Sequence, residues 1–380
     1  MSLFLIVFFT LYGSLQAYIF WKVHAAYKLR GWSLAAVIAF LVLMLLGPIL
    51  VRRLDQAGWF RAAQAFGLLT YWWMAVSMWV FCFGLLGDLW NFGALGVSLI
   101  RPGAKEFILP ARWIAPILGG LIVALTVWGA IEIRMIRLNT FTLDTSRLTP
   151  GSNPIRIVQI SDVHLGLLLR RGALERIRRV VEKAEPDVLV CTGDLVDATG
   201  SHMDELNGIL AGMEAPLGKF AVTGNHEYYA GLEGSVRFTE NSGFRMLRQE
   251  SVIVDGRIRF VGVDDPSGRR MEEKSRLDED ACLPPADRAE YTVLLKHRPQ
   301  VKEASLGRFD LQLSGHTHGG QIFPFTEIER LEYGDRRNGF FALPQNAHLY
   351  ITRGTGAWGP PLRVLARPEV SLFVIRPAKR

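Results

Sequence analysis

Five short polar clusters carry the side chains that could do chemistry in this chain of 380 residues. Each cluster contains Asp, Asn or His, and each follows a run of β-branched and apolar residues that predicts a strand. Five of the eight histidines fall in them. The clusters are Asp162–His164, Gly193–Asp197, Gly224–Glu227, Lys296–Arg298 and Gly315–Gly320. Because loops at strand ends form the ligand sites of α/β sheets, we expect the clusters to meet at one edge.

The residue types favour a metal centre. Carboxylate and amide oxygens together with neutral imidazoles suit Mn, Fe or Zn, whereas a thiolate site would need clustered cysteines. Asp162 and His164 are two residues apart, as are His316 and His318, so each pair can point to one side at a strand end. Two such pairs and a shared carboxylate could hold two ions roughly 3.5–4 Å apart.

No single cluster is specific. Asp-x-His and Gly-Asp-x-x-Asp occur by chance in many proteins, and the Gly-Asn-His-Glu and Gly-His-Thr-His runs are moderately specific. The combination of all five, each after a predicted strand, favours a functional site over chance. The other histidines, His24, His202 and His348, are interpreted as surface or locally hydrogen-bonded residues.

The elements that must position these clusters begin near residue 150. Short β-rich runs alternate there with amphipathic segments such as Gly172–Glu185, which has Leu174, Ile177 and Val181 on one face. The order predicts an α/β domain that begins with β-α-β units and ends rich in strands. Strands are predicted at Ile155–Ser161, Asp187–Cys191, Lys219–Thr223, Ser251–Val254, Ile258–Val263, Tyr291–Lys296, Asp310–Leu313, His348–Thr352 and Val370–Ile375, and further helices at Met203–Met213 and Ser235–Ser242.

Four uncharged apolar stretches precede this domain. Each has about the 20 residues that a helix needs to cross the hydrocarbon core, and Trp or Tyr lies near the ends. Buried core helices are disfavoured because four such runs leave no polar face for water. A cleaved signal peptide is disfavoured because the first run lacks a basic start. The stretches are Leu3–Trp21, Gly31–Val51, Ala62–Gly87 and Trp113–Ile131, while Leu89–Ile100 is too short to span and is expected to be interfacial or re-entrant.

Charge gives a weak indication of orientation. Lys22, Lys28 and Arg30 follow the first stretch and no basic residue precedes it, which favours an extracytoplasmic C-terminal domain, although the later loops nearly balance this. The net charge of +7 lies largely between apolar runs, as suits anionic headgroups. No basic stripe indicates a nucleic-acid partner. We expect a multi-pass protein of a bacterial inner membrane.

Together the clusters resemble the calcineurin-like metallophosphoesterase family over about Ile155–Pro377. The runs Gly262–Pro266 and Gly354–Arg363 are similar to its subgroup with N-terminal membrane segments. The resemblance implies a four-layer α/β/β/α sandwich that holds a dinuclear metal site. The expected organisation is a four-helix transmembrane anchor at residues 1–138, a linker at 139–154 and the phosphoesterase domain at 155–380.

The resemblance also implies roles for individual residues. His226 would contact the phosphoryl oxygens and protonate the leaving group, and Asp197 and Glu227 would orient imidazoles. The first ion would be held by Asp162, His164, Asp194 and His318, and the second by Asp194, Asn225, His297 and His316, with Asp194 bridging.

The implied reaction is hydrolysis of a phosphate ester, diester or pyrophosphate bond by water that two divalent ions activate. Some relatives in the subgroup are linked to cleavage of UDP-diacylglucosamine, so a lipid-linked substrate is one expectation. His226 stands where the soluble enzymes of that step carry arginine. The alternatives are a non-catalytic metal-binding scaffold, which the complete set of expected ligands disfavours, and a membrane transport protein, which the lack of ionisable residues in mid-span disfavours.

Overall fold

The computed structural model of the protein describes residues 2–198, 203–268 and 278–378, so His202 lies outside the described residues. The chain forms two compact units. One comprises residues 1–130 with 359–361, and the other comprises residues 131–358 with 362–380.

The first unit contains the four predicted spans. They are confirmed as helices long and apolar enough to cross a membrane. Their bounds are α1 Ser2–Tyr27, α2 Gly31–Gln56, α3 Phe60–Ser98 and α4 Ala111–Glu132, with a 3-10 helix at Pro102–Phe107 between the last two. Leu89–Ile100, expected to be an interfacial or re-entrant segment, is not separate from the third span. This stretch continues α3 as far as Ser98, because it has no proline before Pro102 to break the helix.

Small residues let the membrane helices approach closely. A Cβ added at Gly47 of α2 would lie 2.5 Å from the Thr70 side chain of α3. One added at Gly84 of α3 would lie 2.7 Å from the Tyr18 hydroxyl of α1. Helices pack in this way in membranes, where close van der Waals contact replaces the hydrophobic effect.

Polar side chains also join α1 to α3. Gln16 accepts a hydrogen bond from the Trp73 indole at 3.0 Å and donates one to Ser77 at 3.2 Å. Lys22 forms an ion pair with Asp88. The pair lies at the ends of the predicted first and third spans, as expected where charges meet the membrane boundary.

The second unit is built on two six-stranded mixed sheets. The first sheet has the order β1-β12-β2-β3-β4-β5 and the second has the order β10-β11-β9-β8-β7-β6. The strands of the first sheet are β1 Arg137–Thr145, β2 Ile155–Ile160, β3 Val188–Cys191, β4 Gly218–Ala221, β5 Arg245–Met246 and β12 Glu369–Pro377. Those of the second are β6 Glu250–Val254, β7 Ile258–Val263, β8 Tyr291–Lys296, β9 Leu311–Ser314, β10 Gly339–Ala342 and β11 His348–Ile351.

Alternation along the strands produces stacked layers. In β2, Ile155 and Ile157 join the core between the two sheets, whereas Val158 and Ile160 join the core on the outer face of the first sheet. A third core covers the outer face of the second sheet. The predicted α/β/β/α sandwich is confirmed. Its helices are α5 Arg171–Lys183, α6 Asp204–Ala211, α7 Asn225–Ala230, α8 Leu232–Asn241, α9 Glu279–Cys282 and α10 Phe325–Tyr333.

The expected linker at 139–154 differs from the structure. Residues 137–145 form β1, which pairs in parallel with β12 at the edge of the first sheet. Phe141 and Leu143 of β1 pack against the core between the sheets, and Leu138 packs against the outer core. Charged and polar residues alternate with these apolar ones because β1 is a half-exposed edge strand, and this mixture resembles a linker in the sequence.

Candidate metal centre

The five polar clusters meet because of strand order. β2, β3 and β4 are parallel neighbours in the first sheet, and β8 and β9 are parallel neighbours in the second. Their carboxyl ends therefore face the same edge of the sandwich. The two sheets are joined there, since the main-chain N–H of His316 donates to Asp162 Oδ1 at 3.0 Å and His297 Nδ1 donates to the Thr192 carbonyl after β3 at 2.8 Å.

Asp162, His164 and His318 form one group of converging ligand atoms, which lie within 4.8 Å of one another. The Nε2 atoms of the two histidines are 3.0 Å apart, and His318 Nε2 is 3.5 Å from Asp162 Oδ1. Bonds of roughly 2.0–2.2 Å to a common ion would place neighbouring ligand atoms about 3–3.5 Å apart. The spacing in this group therefore fits a metal ion.

Asp194, His297 and His316 form a second group of the same kind. His297 Nε2 lies 3.2 Å from Asp194 Oδ2 and 3.2 Å from His316 Nδ1. Asp194 Oδ2 is also 3.8 Å from His164 Nε2, so this carboxylate faces both groups. One carboxylate between two groups of ligand atoms is the arrangement that a dinuclear centre requires.

Asn225 supplies independent support for a cation. Its side-chain carbonyl oxygen is buried without a hydrogen-bond partner in the described parts of the chain. Leaving a buried acceptor unpaired is costly unless another group binds it. A metal ion would satisfy this oxygen. The adjacent Gly224 has no room for a side chain, because a Cβ there would lie 2.1 Å from Asp194 Oδ1.

The main chain at the site adopts a conformation that non-glycine residues rarely use. Positive φ values between 52° and 75° occur at five of the seven expected ligands. Such residues are destabilising and cluster at functional sites, where the surrounding fold holds them in place. The two-residue spacing predicted that each pair would converge, but left-handed turns, rather than the alternation of an extended strand, aim the side chains. These residues are Asp162, His164, Asp194, His316 and His318.

The charges of the site attract cations. Burial lowers the pKa of His164, but nearby carboxylates, above all Asp197, raise it to about 9. Burial likewise opposes the charge on His297, and Asp194 is the main cause of a pKa raised to about 10. Burial, aided by His297, lowers the pKa of His316 to about 3. Carboxylates that draw protons onto two imidazoles would equally draw divalent ions, which bind in competition with those protons.

Asp197 connects a metal-ligand candidate to the predicted acid. Its Oδ1 lies 2.6 Å from His164 Nδ1 and 2.8 Å from His226 Nδ1. Burial raises the pKa of Asp197, but the two histidines, led by His164, lower it to about 2. Asp197 is therefore an ionised acceptor that fixes both rings. A ring nitrogen of His226 also lies within 4.8 Å of ligand atoms of His164 and Asp194.

Glu227 acts on the main chain, which differs from the imidazole-orienting role expected of it. Its buried carboxylate accepts hydrogen bonds at 2.6–2.9 Å from the N–H groups of Gly224, Asp194 and Leu195. The N–H of Val196 lies 3.4 Å from it. Glu227 thus ties the loop after β3 to the start of α7 and sets the distance between Asp194 and Asn225.

Arg363 is a site residue to which sequence reasoning assigned no role. Its side chain is fully buried, and Nη1 donates to the main-chain carbonyls of His318 and Arg353 at 2.8 Å. Nη2 lies 3.2 Å from His318 Nδ1. Arg363 therefore holds both the main chain and the ring of His318. The available signal was an arginine in an otherwise apolar run after Pro360 and Pro361.

Two exposed aromatic rings flank His226. The ring centroids of Tyr229 and Trp358 lie 5.3 Å and 5.7 Å from that of His226. Trp358 is 57% exposed, yet its main chain is fixed, because the Gln321 side chain accepts from its N–H and donates to its carbonyl, both at 2.8 Å. Trp358 is thus held beside the site, and both rings remain open to a ligand.

A two-sheet sandwich with two groups of Asp and His side chains that could hold metal ions, placed around a shared carboxylate, is typical of one class, the metal-dependent hydrolases of phosphoester bonds. The chain belongs to the calcineurin-like metallophosphoesterase family, whose calcineurin-like phosphoesterase profile matches residues 155–320. An uncharacterized metallophosphoesterase of Aquifex aeolicus is 39% identical over 256 residues, which cover 67% of this chain and 97% of the relative.

The similarity also extends to proteins with membrane segments. A transmembrane protein with metallophosphoesterase domain from Danio rerio is 30% identical over 311 residues, which cover 77% of this chain and 71% of the relative. Among solved structures, a 5'-nucleotidase precursor from Thermus thermophilus is 17% identical, with a TM-score of 0.34, and the alignment covers 58% of this chain and 55% of that one. The family and the apolar helices together indicate a membrane-associated enzyme.

Proposed function

We propose that this chain is a membrane-anchored, dinuclear-metal phosphoesterase. The observation that carries the proposal is that Asp194 faces two groups of ligand atoms, each with the spacing that one ion requires. The donor set of oxygens and imidazoles suits Mn, Fe or Zn. The proposed ligands are Asp162, His164, Asp194 and His318 for the first ion and Asp194, Asn225, His297 and His316 for the second.

Two divalent ions at these positions would supply Lewis acidity toward phosphate oxygens and would lower the pKa of an attacking water. The protein's part is to hold the ligand side chains in place. The main-chain N–H of His226 donates to Asp194 Oδ1 at 2.8 Å, which fixes the carboxylate that faces both groups of ligand atoms. A ligand fixed in advance needs no reorganisation during the reaction.

His226 is the proposed proton donor to the leaving group. Its Nδ1 faces the ionised Asp197, so Nδ1 carries a proton and Nε2 is the atom that can give a proton to a leaving oxygen. Its side chain is 15% exposed, so substrate can reach the ring. A positioned acid of this kind contributes roughly 10²–10⁴-fold to a rate.

We further propose that the substrate is a lipid-linked phosphodiester or pyrophosphate, of which UDP-diacylglucosamine is one example. The leaving group must lie against His226 and therefore beside Tyr229 and Trp358, whose exposed rings suit an apolar or planar group. Of the apolar residues that flank the motifs, Phe325 is also exposed, whereas Leu362 is fully buried and serves the core. The membrane segment would confine the enzyme near such substrates.

The experiment that tests this function uses the full-length protein in detergent or vesicles. Phosphomonoesters, phosphodiesters and a panel of lipid-linked pyrophosphates are assayed with Mn²⁺, Fe²⁺ or Zn²⁺, and Asp194→Asn is the inactive reference. We expect metal-dependent hydrolysis with a preference for the lipid-linked esters. Hydrolysis with equal preference for water-soluble esters would remove the lipid proposal, and no metal-dependent hydrolysis of any ester would remove the enzyme proposal.

The proposed location is a bacterial inner membrane with the catalytic unit on the extracytoplasmic side. The support comes from the charge of the first loop. Lys22, Lys28 and Arg30 lie between the first two spans, and basic loops tend to stay in the cytoplasm. A cytoplasmic first loop places the catalytic unit, after four spans, on the extracytoplasmic side. Protease digestion of intact spheroplasts tests the side. Digestion of the catalytic unit without lysis agrees with the proposal, and protection until lysis reverses it.

A further inference from the structure

The apolar end of α3 and the 3-10 helix Pro102–Phe107 enclose a groove of about 870 Å³. This volume is in the range of small-molecule sites in proteins, roughly 300–1,000 Å³. We propose that the groove binds one anionic phospholipid of the surrounding bilayer, with an acyl chain along the groove and the phosphate at Arg101. The site is separate from the metal centre and does not depend on the proposed reaction.

The groove follows one face of α3. Leu89, Gly93 and Val97 recur every four residues, and Arg101 follows at the same interval just beyond the end of the helix. Residues four apart stack on one side of a helix, so these positions form a continuous strip. From Leu89 to Val97 the strip is about 12 Å long at the usual rise per residue. An apolar strip that ends in one arginine matches a lipid, which has an apolar chain and a phosphate at one end.

The strip lies where α3 passes the expected edge of the hydrocarbon. α3 has 39 residues, and a helix of that length spans about 58 Å, whereas the hydrocarbon core is roughly 30 Å thick. The Lys22–Asp88 ion pair immediately precedes the strip and marks this boundary. Trp90, Leu95 and Phe107 beyond it are 50–64% exposed. A bound lipid would cover this apolar surface with an acyl chain that runs back from Arg101 along the strip and ends in the hydrocarbon.

Hydrogen bonds within the protein hold the walls of the groove in place even without a ligand. The Trp90 indole N–H donates to the Phe107 carbonyl at 3.0 Å. The Asn91 side chain accepts from the N–H of Leu109 at 2.8 Å and donates to its carbonyl at 3.0 Å. The segment after α3 is therefore fixed against the helix. A preformed groove binds a ligand without an ordering cost.

Small residues, Gly93, Ala94, Gly103 and Ala104, form part of the lining of the groove. A Cβ added at Gly93 or Gly103 would meet no atom within 4 Å in the described chain. Glycine weakens a helix and is normally retained in membrane helices where another helix packs closely, as at Gly47. At Gly93, which lines the groove, there is therefore room for an apolar chain from outside the protein.

Charge selects an anionic headgroup. Arg101 lines the groove, Lys105 lies in the 3-10 helix between α3 and α4, and Arg112 lies in the first turn of α4. Each basic residue near a membrane surface strengthens binding to anionic lipid by about fivefold.

The test is native mass spectrometry of the full-length protein with phosphatidylglycerol or phosphatidylcholine of identical chains. We expect one phosphatidylglycerol to be retained per chain when other lipids have been stripped by detergent. Gly93→Leu fills the strip and should weaken retention at least tenfold. The matched control is Gly96→Leu, which adds the same side chain to the same helix outside the groove and should retain the lipid.

Arg101→Gln keeps the proposal testable if Gly93→Leu does not fold. It should remove the preference for phosphatidylglycerol over phosphatidylcholine, a loss of about fivefold, and leave the groove intact. Equal retention of both lipids by the unchanged protein would overturn the proposal. So would equal retention by the Gly93→Leu and Gly96→Leu variants, or a dimer that Gly93→Leu dissociates.

Discussion

The two proposed metal positions are built from different chemistry. The first has a carboxylate of its own, Asp162, in addition to the shared Asp194. The second has the shared carboxylate and otherwise only neutral ligands, His297, His316 and the Asn225 oxygen. The supporting contacts differ as well. An ionised Asp197 faces Nδ1 of a first-position histidine, whereas the carbonyl of Thr192 accepts from His297 Nδ1 at 2.8 Å.

This difference implies unequal affinities for the two ions. The number of charged ligands sets how tightly a divalent ion binds to oxygen-rich sites. With two carboxylates at the first position and one at the second, we expect the first ion to be the more tightly held. The second position has fewer charged ligands, so an ion there would accommodate substrate oxygens more readily.

The largest effect is expected where the two positions meet. Asp194→Asn removes charge from both at once, so both ions should be lost together. The rate should fall by more than the roughly 10–100-fold that follows loss of a residue that only orients a ligand. Metal content by mass spectrometry and kcat/KM measure this, with Asp144→Asn on exposed β1 as a control. Loss of one ion alone would show that Asp194 does not bridge.

His226→Ala should separate chemistry from metal binding. Both ions should remain, and the rate should fall by roughly 10²–10⁴-fold because the leaving oxygen no longer receives a proton. The loss should shrink for p-nitrophenyl esters, whose leaving group needs little protonation. Rates on two esters of different leaving-group acidity, with metal analysis, decide the matter. A variant that had lost its metals would make His226 a ligand, and an equal loss on both esters would exclude the role as an acid.

Stepwise removal of metal should test directly whether the two positions bind their ions with different affinities. Titration of the loaded protein with a chelator should release one ion at a concentration roughly tenfold or more below that needed for the other. Asn225→Asp adds a carboxylate to the second position and should bring the two release steps together. Asp162→Asn should remove the advantage of the first position. Simultaneous release from the unchanged protein would contradict the comparison.

A smaller effect is expected at Glu227, which serves both positions through the main chain. Glu227→Gln replaces an acceptor by an NH₂ group that faces N–H donors. The free energy of unfolding should fall by about 1–3 kcal/mol, since buried donors are left unpaired. Thermal unfolding of the full-length variant measures it, and bound metal at low temperature should be unchanged. Metal loss without loss of stability would show instead that Glu227 contributes to metal binding.

The positions of the polar clusters could be predicted from the sequence more readily than the residues that support them. Six of the seven proposed ligands lie in the two groups of candidate ligand atoms because they follow parallel strands, and strand ends can be recognised from local patterns. Arg363 gave no such signal, because it lies 45 residues from His318 and its contacts exist only after folding. The left-handed turns at Asp162 and His316 were equally hidden, since local propensity opposes them and the assembled fold imposes them.

In the membrane unit the four spans followed from hydropathy, whereas the continuation of α3 beyond Asp88 did not. Leu89–Ile100 is too short to cross a bilayer by itself, and hydropathy cannot show that it extends an existing helix. β1 was missed for a similar reason. An edge strand has a partner on one side only, so its pattern of apolar residues is weaker than that of β2 or β8.

The pairing of β1 with β12 has a consequence for how the protein is made. β1 leaves the ribosome directly after the last membrane helix, but its partner is about 230 residues farther on, as the Asp144–Arg376 pair shows with a separation of 232. Contacts of such long range form slowly. During synthesis β1 must therefore wait beside the bilayer as an unpaired strand, at risk of pairing with another nascent chain. Its charged positions, Arg137 and Asp144, would limit that risk until the first sheet closes.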